Sequence, residues 1–212
     1  MSFERLAPHY RWLEFVLAGD KLQRCRTAFL TRDLKPEQIL ILGEGNGRFL
    51  VECRKLFSST RVVCVDASQT MLRLARRRLA RNGLNDQNVE LIEADALSWV
   101  PPKQSFDLLV THFFLDCFRE DQLPGLVRRL GEAARPSARW LLADFQIPAR
   151  GLKRWRAEAI HQLMYAFFRV ATRLPARRLC VPDRWLQLEG FSLNDRRVTD
   201  FGLLRSDLWA RS

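Results

Sequence analysis

Ile39–Leu50 reads ILILGEGNGRFL: four apolar residues run into Gly43, Gly45 and Gly47 at alternate positions and then into a helical pattern. A continuous Ile/Leu run suits a strand buried on both faces of a sheet. Glycines at its end allow a sharp turn and close approach of a ligand to the backbone, and the helix that follows presents unpaired N–H donors to an anionic group. A strand, a glycine loop and a helix in direct succession therefore predict the first βα unit of a parallel sheet. Alone, the pattern is also compatible with a turn that binds nothing.

Working outward, four more apolar runs alternate with helical patterns: RVVCVD (61–66), NVELIEAD (88–95), FDLLVT (106–111) and RWLLADF (139–145). Residues 48–57, 68–82 and 121–134 fit as crossover helices. Ser68 is placed as an N-cap of the second, and Gly83 as its stop. Asp66 ends the second run about 20 residues beyond the loop, where a carboxylate can accept both hydroxyls of a ribose. Asp95 ends the third run at the same sheet edge, where open α/β sheets bind their ligands. Each acid alone could be an ordinary helix cap. Together with the loop they converge on one crevice. A dinucleotide site is disfavoured, because its G-x-G-x-x-G/A fingerprint needs a small residue where Arg48 stands.

Three further pieces flank this core. Leu6, Tyr10, Leu13 and Leu17 fall at helical spacing in an N-terminal cap (1–35). A long helix is expected over Arg150–Leu174, with Ile160, Leu163, Met164, Phe167, Ala171 and Leu174 on one face. The tail reads as two extended segments around 199–202, an antiparallel hairpin. The expected fold is thus a single α/β domain of 212 residues: a Rossmann-like, doubly wound, mostly parallel sheet (core 36–148) with the helical cap before it and, over 149–212, an acceptor-side helix and a C-terminal antiparallel hairpin.

With 47% hydrophobic and 28% charged residues the composition is globular. Thirty-five basic against 24 acidic residues give a formal charge of +11, which nucleic acid or an anionic membrane would attract. The excess is almost all Arg and is spread from end to end, as a coding bias would also leave it. Glu4, Arg5, Arg11 and Glu14 interrupt the apolar stretch a signal peptide requires, and no run of about 18 apolar residues offers a bilayer span, so a cytoplasmic location is expected. Five cysteines without a C-x-x-C pair, and His9, His112 and His161 far apart, point to neither a disulfide framework nor a metal site.

These residues closely resemble the class I S-adenosylmethionine-dependent methyltransferases, whose glycine loop, ribose acid and third-strand acid come in this order; the resemblance covers about residues 36–148. It implies that Gly43, Glu44 and Gly45 meet the methionine part of S-adenosylmethionine, and that Asp66 holds the ribose. Ala67 and Met71 would flank the adenine, Asp95 and the Ala96 N–H would face its ring edge, and Thr111 and His112 would complete the methionine pocket. Members of the family usually carry an acid two residues before the first loop glycine, where this chain has Ile41. Glu44 is expected to take over part of its role toward the cofactor's ammonium group. Within the family, FERLAPHYRWLEFVLAG and RRLGEAARPSARWLLADFQIP look like segments of the ubiquinone/menaquinone-biosynthesis C-methyltransferases.

Methyl transfer from a sulfonium is an in-line displacement, in which the protein aligns donor and acceptor. Where a base is needed, His112 and Asp116 in THFFLDCF are the candidates, and Tyr10 with His9 could form a lid. Phe113, Phe114, Phe118, Met164, Tyr165, Phe167 and Phe168 suggest apolar walls for a small hydrophobic acceptor, or simply core. Arg154, Arg156, Arg169, Arg173, Arg177 and Arg178 could meet anionic lipid headgroups or form a solvated face. Two other readings stay open: an RNA or DNA methyltransferase, although no N-P-P-Y-type motif follows the fourth strand, and a non-catalytic S-adenosylmethionine-binding regulator.

Overall fold

The apolar runs become strands because each can pair on both edges and bury both faces, and in a computed structural model, which describes residues 19–147 and 180–211, five of them form the parallel centre of one sheet. These are β1 (Gln38–Leu42), β2 (Arg61–Asp66), β3 (Val89–Glu93), β4 (Phe106–His112) and β5 (Ala134–Phe145). Two antiparallel strands extend the sheet beyond β5: β6 (Phe191–Thr199) and β7 (Leu204–Arg211). The order is β3-β2-β1-β4-β5-β7-β6. The order reverses beside β1, which pairs β2 on one edge and β4 on the other, so the crevice opens beyond the C-terminal ends of these strands.

Helices cover both faces. On one side α2 (Arg48–Leu56) and α3 (Gln69–Arg81) pack Phe49, Leu50, Ala75 and Leu79 onto Ile39, Ile41, Val62 and Val110. The Ser68 hydroxyl accepts the Met71 N–H and caps α3 as the sequence predicts. On the other side α4 (Leu123–Ala133) and α5 (Asp183–Leu188) bury Leu126, Leu130 and Leu186 against Leu40, Leu109 and Trp140. At the crevice end α1 (Gly19–Thr27) lays Leu22 and Cys25 on Ala143 and Leu204.

The predicted hairpin forms, turning at 200–202, and β7 carries it onto the sheet through pairs such as Trp140 with Trp209. Two boundaries move. β3 stops at Glu93, because the Asp95 carboxylate accepts the Leu97 N–H and starts a turn. β5 begins at Ala134, at the end of α4, five residues earlier than the apolar run suggests. The small helix α5 had no sequence prediction. The expected lid residues His9 and Tyr10, Leu6, Leu13 and Leu17, and the long helix with its aromatic and arginine side chains lie outside the described residues.

Candidate functional site

All three loop glycines have left-handed backbone, with φ of +65° at Gly43, +67° at Gly45 and +83° at Gly47. Their reasons differ. A Cβ on Gly47 would stand 2.6 Å from the Ala75 Cα of α3, and one on Gly43 would stand 2.3 Å from the Phe114 ring, so those two serve close packing. Nothing lies within 4 Å of a Cβ on Gly45, whose face is open. The Gly45 N–H donates instead to Asp66 Oδ2 at 3.0 Å, and Ser68 N–H donates to Asp66 Oδ1 at 2.9 Å. These bonds fix the Asp66 carboxylate at the end of β2 and leave each oxygen a lone pair for a ligand hydroxyl. Burial raises its pKa, opposed by the two N–H donors.

Glu44 turns back under the loop. Its Oε1 accepts the Leu50 N–H at 3.0 Å, satisfying an orphan donor in the first turn of α2. Burial raises its carboxyl to about 7, against that hydrogen bond and the nearby Arg26 charge. The carboxyl therefore stands beside the loop, partly buried, and is divided between its neutral and ionised forms near neutrality. Ile41 is fully buried in the core under α2.

Thr111 and His112 are the last residues of β4. Thr111 Oγ1 accepts the Trp140 Nε1–H at 2.8 Å, which turns this hydroxyl into the core. His112 faces the α2 side, its ring edge-on to Phe49 with centroids 4.5 Å apart. Burial, then the Arg26 charge, pushes its pKa well below 6.5, so the imidazole is neutral. Its buried Nδ1 has no hydrogen-bond partner among the described residues.

After β4 the chain turns at Phe113, which has φ +51° and donates its N–H to Ala143 O at 2.7 Å. That turn sends Phe114 over Gly43, edge-on to Phe118 at 5.0 Å, and buries Asp116 in the following 3-10 turn. The Asp116 carboxyl is raised to about 6 by burial. Asp144, near the end of β5, is held well above the usual carboxylate range by burial and then by the charge of Asp116. Cys117 Sγ–H donates to Asp116 Oδ1 at 3.6 Å. On the β2–β3 side, Met71 is buried in the first turn of α3, whereas Ala67 and Asp95 are exposed at adjacent strand ends. Ala96 is partly buried next to Asp95, and its carbonyl accepts from Arg129 at 3.1 Å.

The residues present fit S-adenosylmethionine: an open backbone face at Gly45, a fixed carboxylate with spare lone pairs at Asp66, and an exposed acid at the neighbouring strand end. The structure brings Gly43, Glu44, Gly45, Asp66, His112 and Asp116 to one sheet edge, with Asp95 beside them. It does not bring the Thr111 hydroxyl there. Sequence reasoning missed Arg26, one basic residue among 35, and Asp144, hidden in an apolar run. An acid interrupting LLADF at the strand end was the available signal for the second. Among the described residues no three His, Cys, Asp or Glu are grouped to hold a metal ion, and no helix is long and apolar enough to cross a membrane.

Residues 39–137 match the family model described as a methyltransferase domain. A demethylmenaquinone methyltransferase of Thermus thermophilus is 30% identical over 154 residues, which are 70% of this chain and 66% of that protein. One of the same name from Clavibacter sepedonicus is 31% identical over 134 residues, 62% of this chain and 51% of that protein. The chain thus spans less than two thirds of these curated relatives. Among solved structures, mitomycin 7-O-methyltransferase superposes with a TM-score of 0.73 at 18% identity, over 100% of this chain and 61% of that one, a likeness of fold.

Proposed function

From the premise that this chain belongs to the class I S-adenosylmethionine-dependent methyltransferases, we propose that it transfers a methyl group from S-adenosylmethionine to a small, apolar, quinol-like acceptor. The observation that carries the reading is the Gly45–Asp66 corner: an open backbone face beside a carboxylate fixed by two N–H donors. The acceptor class draws on the names of the two curated relatives and on the partly buried Phe114 and Phe118 rings beside the glycine loop.

When bound, S-adenosylmethionine supplies an electrophilic methyl group on sulfur, so the protein need only align the acceptor and accept its proton. Asp66 holds the ribose hydroxyls, Ala67 and Met71 flank the adenine, and Asp95 with the Ala96 N–H meets its edge. Phe114 excludes water over the loop. Asp116 is the better base: its carboxyl, raised to about 6, is ionised near neutrality yet basic enough to take a proton from an acidic hydroxyl. His112, neutral and buried, holds the donor's amino-acid end.

Two measurements test this. Calorimetry with S-adenosylmethionine should show binding that Asp66→Ala weakens at least tenfold; no binding up to millimolar concentration refutes the reading. Radiolabelled methyl transfer into a cell extract, partitioned into organic, nucleic-acid and protein fractions, should label the organic phase. Label confined to nucleic acid would make the chain an RNA or DNA methyltransferase, and binding without label would make it a regulator.

A further inference from the structure

α3 is charged differently from the helices around it. Its sequence, QTMLRLARRRLAR, turns Met71, Leu72, Ala75 and Leu79 into the core and holds five arginines and no acid. α1, α2 and α4 each answer a basic side chain with an acid: Lys21 with Asp200 at 2.8 Å, Lys55 with Glu52 at 2.8 Å, and Arg128 with Glu132 at 3.2 Å. On α3, Arg76 meets Asp86 at 3.1 Å. Arg73, Arg77 and Arg81 are exposed and meet no carboxylate among the described residues. Arg73 donates to Thr70 Oγ1 at 2.9 Å and Gln69 Oε1 at 3.4 Å, both of them neutral.

These three arginines stand four residues apart, so they form one row along the outer flank of the helix, about 12 Å from first to last. The row works against the helix that carries it, because like charges at i and i+4 repel. Arg81 lies in the last turn, where the helix dipole favours a cation, but Arg73 and Arg77 lie outside it. What a row of guanidinium forks without carboxylates suits is a surface of phosphate groups, each able to accept two parallel N–H bonds.

An anionic bilayer and a nucleic acid both present such a surface. α3 has no aromatic residue on which a base could stack, and its arginines make a single row in place of a groove that tracks a strand. The helix also starts at the crevice, where Ser68 caps it two residues after Asp66. An apolar acceptor dissolved in lipid would be met there. We propose that Arg73, Arg77 and Arg81 dock the protein on an anionic phospholipid surface, with the crevice at the rim of the contact. The choice of lipid rests on the apolar-acceptor reading above; the row itself does not. Since the apolar side of α3 is spent on the sheet, the attachment is electrostatic and reversible.

The test sediments the full chain with vesicles of phosphatidylcholine alone or mixed with phosphatidylglycerol. Wild type should bind only the mixed vesicles, and release as salt is raised. A basic residue near such a surface is worth about fivefold in partitioning, so each of Arg73→Gln, Arg77→Gln and Arg81→Gln should lower binding by about that factor, and the triple variant by about 100-fold. Replacing Arg119, Arg128 and Arg135 with Gln changes the net charge equally and should leave binding within about fivefold. Thermal unfolding should be unchanged in the single variants, which carry the result if the triple variant folds poorly. Wild type that ignores phosphatidylglycerol, α3 variants that still bind, or equal losses in both triple variants overturn the proposal. Single-stranded RNA that displaces the protein from vesicles, and whose own binding the α3 variants abolish, would make the row a nucleic-acid surface and overturn it too. Vesicle binding through α3 by a protein that methylates a water-soluble acceptor would refute the acceptor reading and leave the docking row standing.

Discussion

Glu44→Gln should stabilise the free protein and weaken its hold on the methyl donor, with a pH dependence that identifies the cause. Burial raises the Glu44 carboxyl from its ordinary 4.5 to about 7. An acid whose folded-state pKa is raised binds more protons folded than unfolded between those values, so stability falls as pH rises from about 4.5 to 7 and the full cost persists above. At about 1.4 kcal/mol per pH unit that interval amounts to about 3 kcal/mol, and because Glu44 is only partly buried, water recovers some of it, leaving about 1–3 kcal/mol. Glutamine keeps an oxygen for the Leu50 N–H and removes the charge. Urea unfolding of the free wild type and variant at pH 5, 6, 7 and 8 should therefore give stabilities that nearly coincide at pH 5 and separate by about 1–3 kcal/mol at pH 8, the variant being higher. Calorimetry at pH 8 should show the opposite order for S-adenosylmethionine, because the ammonium has lost its counter-charge. A separation that is flat across pH would refute the reasoning, since Glu44 would then be solvated or neutralised in the free protein.

The loop glycines should divide by role: Gly47→Ala, driven against the Ala75 backbone at 2.6 Å, should lower thermal stability severely. Gly45→Ala meets open space and should cost only about 1–2 kcal/mol for its left-handed backbone, while blocking cofactor binding in calorimetry. Thr111→Val strands the buried Trp140 indole N–H and should cost about 1–3 kcal/mol in urea unfolding, with cofactor affinity within twofold. Methyl-transfer rate should rise with pH through about 6 as Asp116 ionises, and Asp116→Asn should remove that limb. A limb that survives in Asp116→Asn and vanishes in His112→Ala would assign the base to His112.

What the sequence disclosed is what local pattern encodes. The β1 and β2 boundaries coincide with their apolar runs, because strands buried on both faces are written as continuous Ile, Val and Leu. The Ser68 cap and the Asp66 position follow from short-range geometry in the same way. Thr111 shows the limit: at the end of an apolar strand its hydroxyl has two faces to choose from, and the choice is made by Trp140, 29 residues away, through an indole N–H that needs an acceptor. Arg26 likewise gains meaning only when α1 crosses the loop, a long-range packing event that helical periodicity does not record.

The charge of +11 takes on a different meaning once the arginines are followed to their partners. Arg54 spans the α2 terminus, donating to Phe57 O at 2.9 Å and Thr60 O at 2.8 Å. Arg211 reaches from β7 to Gly131 O at 2.9 Å and Ala134 O at 3.2 Å, tying the last strand to the end of α4. Arg196 bridges Asp207 and Asp183, and the buried Arg205 donates to Asp183 at 2.8 Å, fastening α5 to the hairpin. Arg54, Arg196 and Arg211 each use several N–H donors of one planar group at once, which a lysine ammonium on its flexible stem cannot reproduce. An arginine-rich chain can thus be basic because its irregular segments are stapled by guanidinium-to-carbonyl bonds, whose acceptors carry no formal charge to cancel it. Among the described residues the charges of Arg54 and Arg211 are in this sense a signature of how a helix end and the last strand are held.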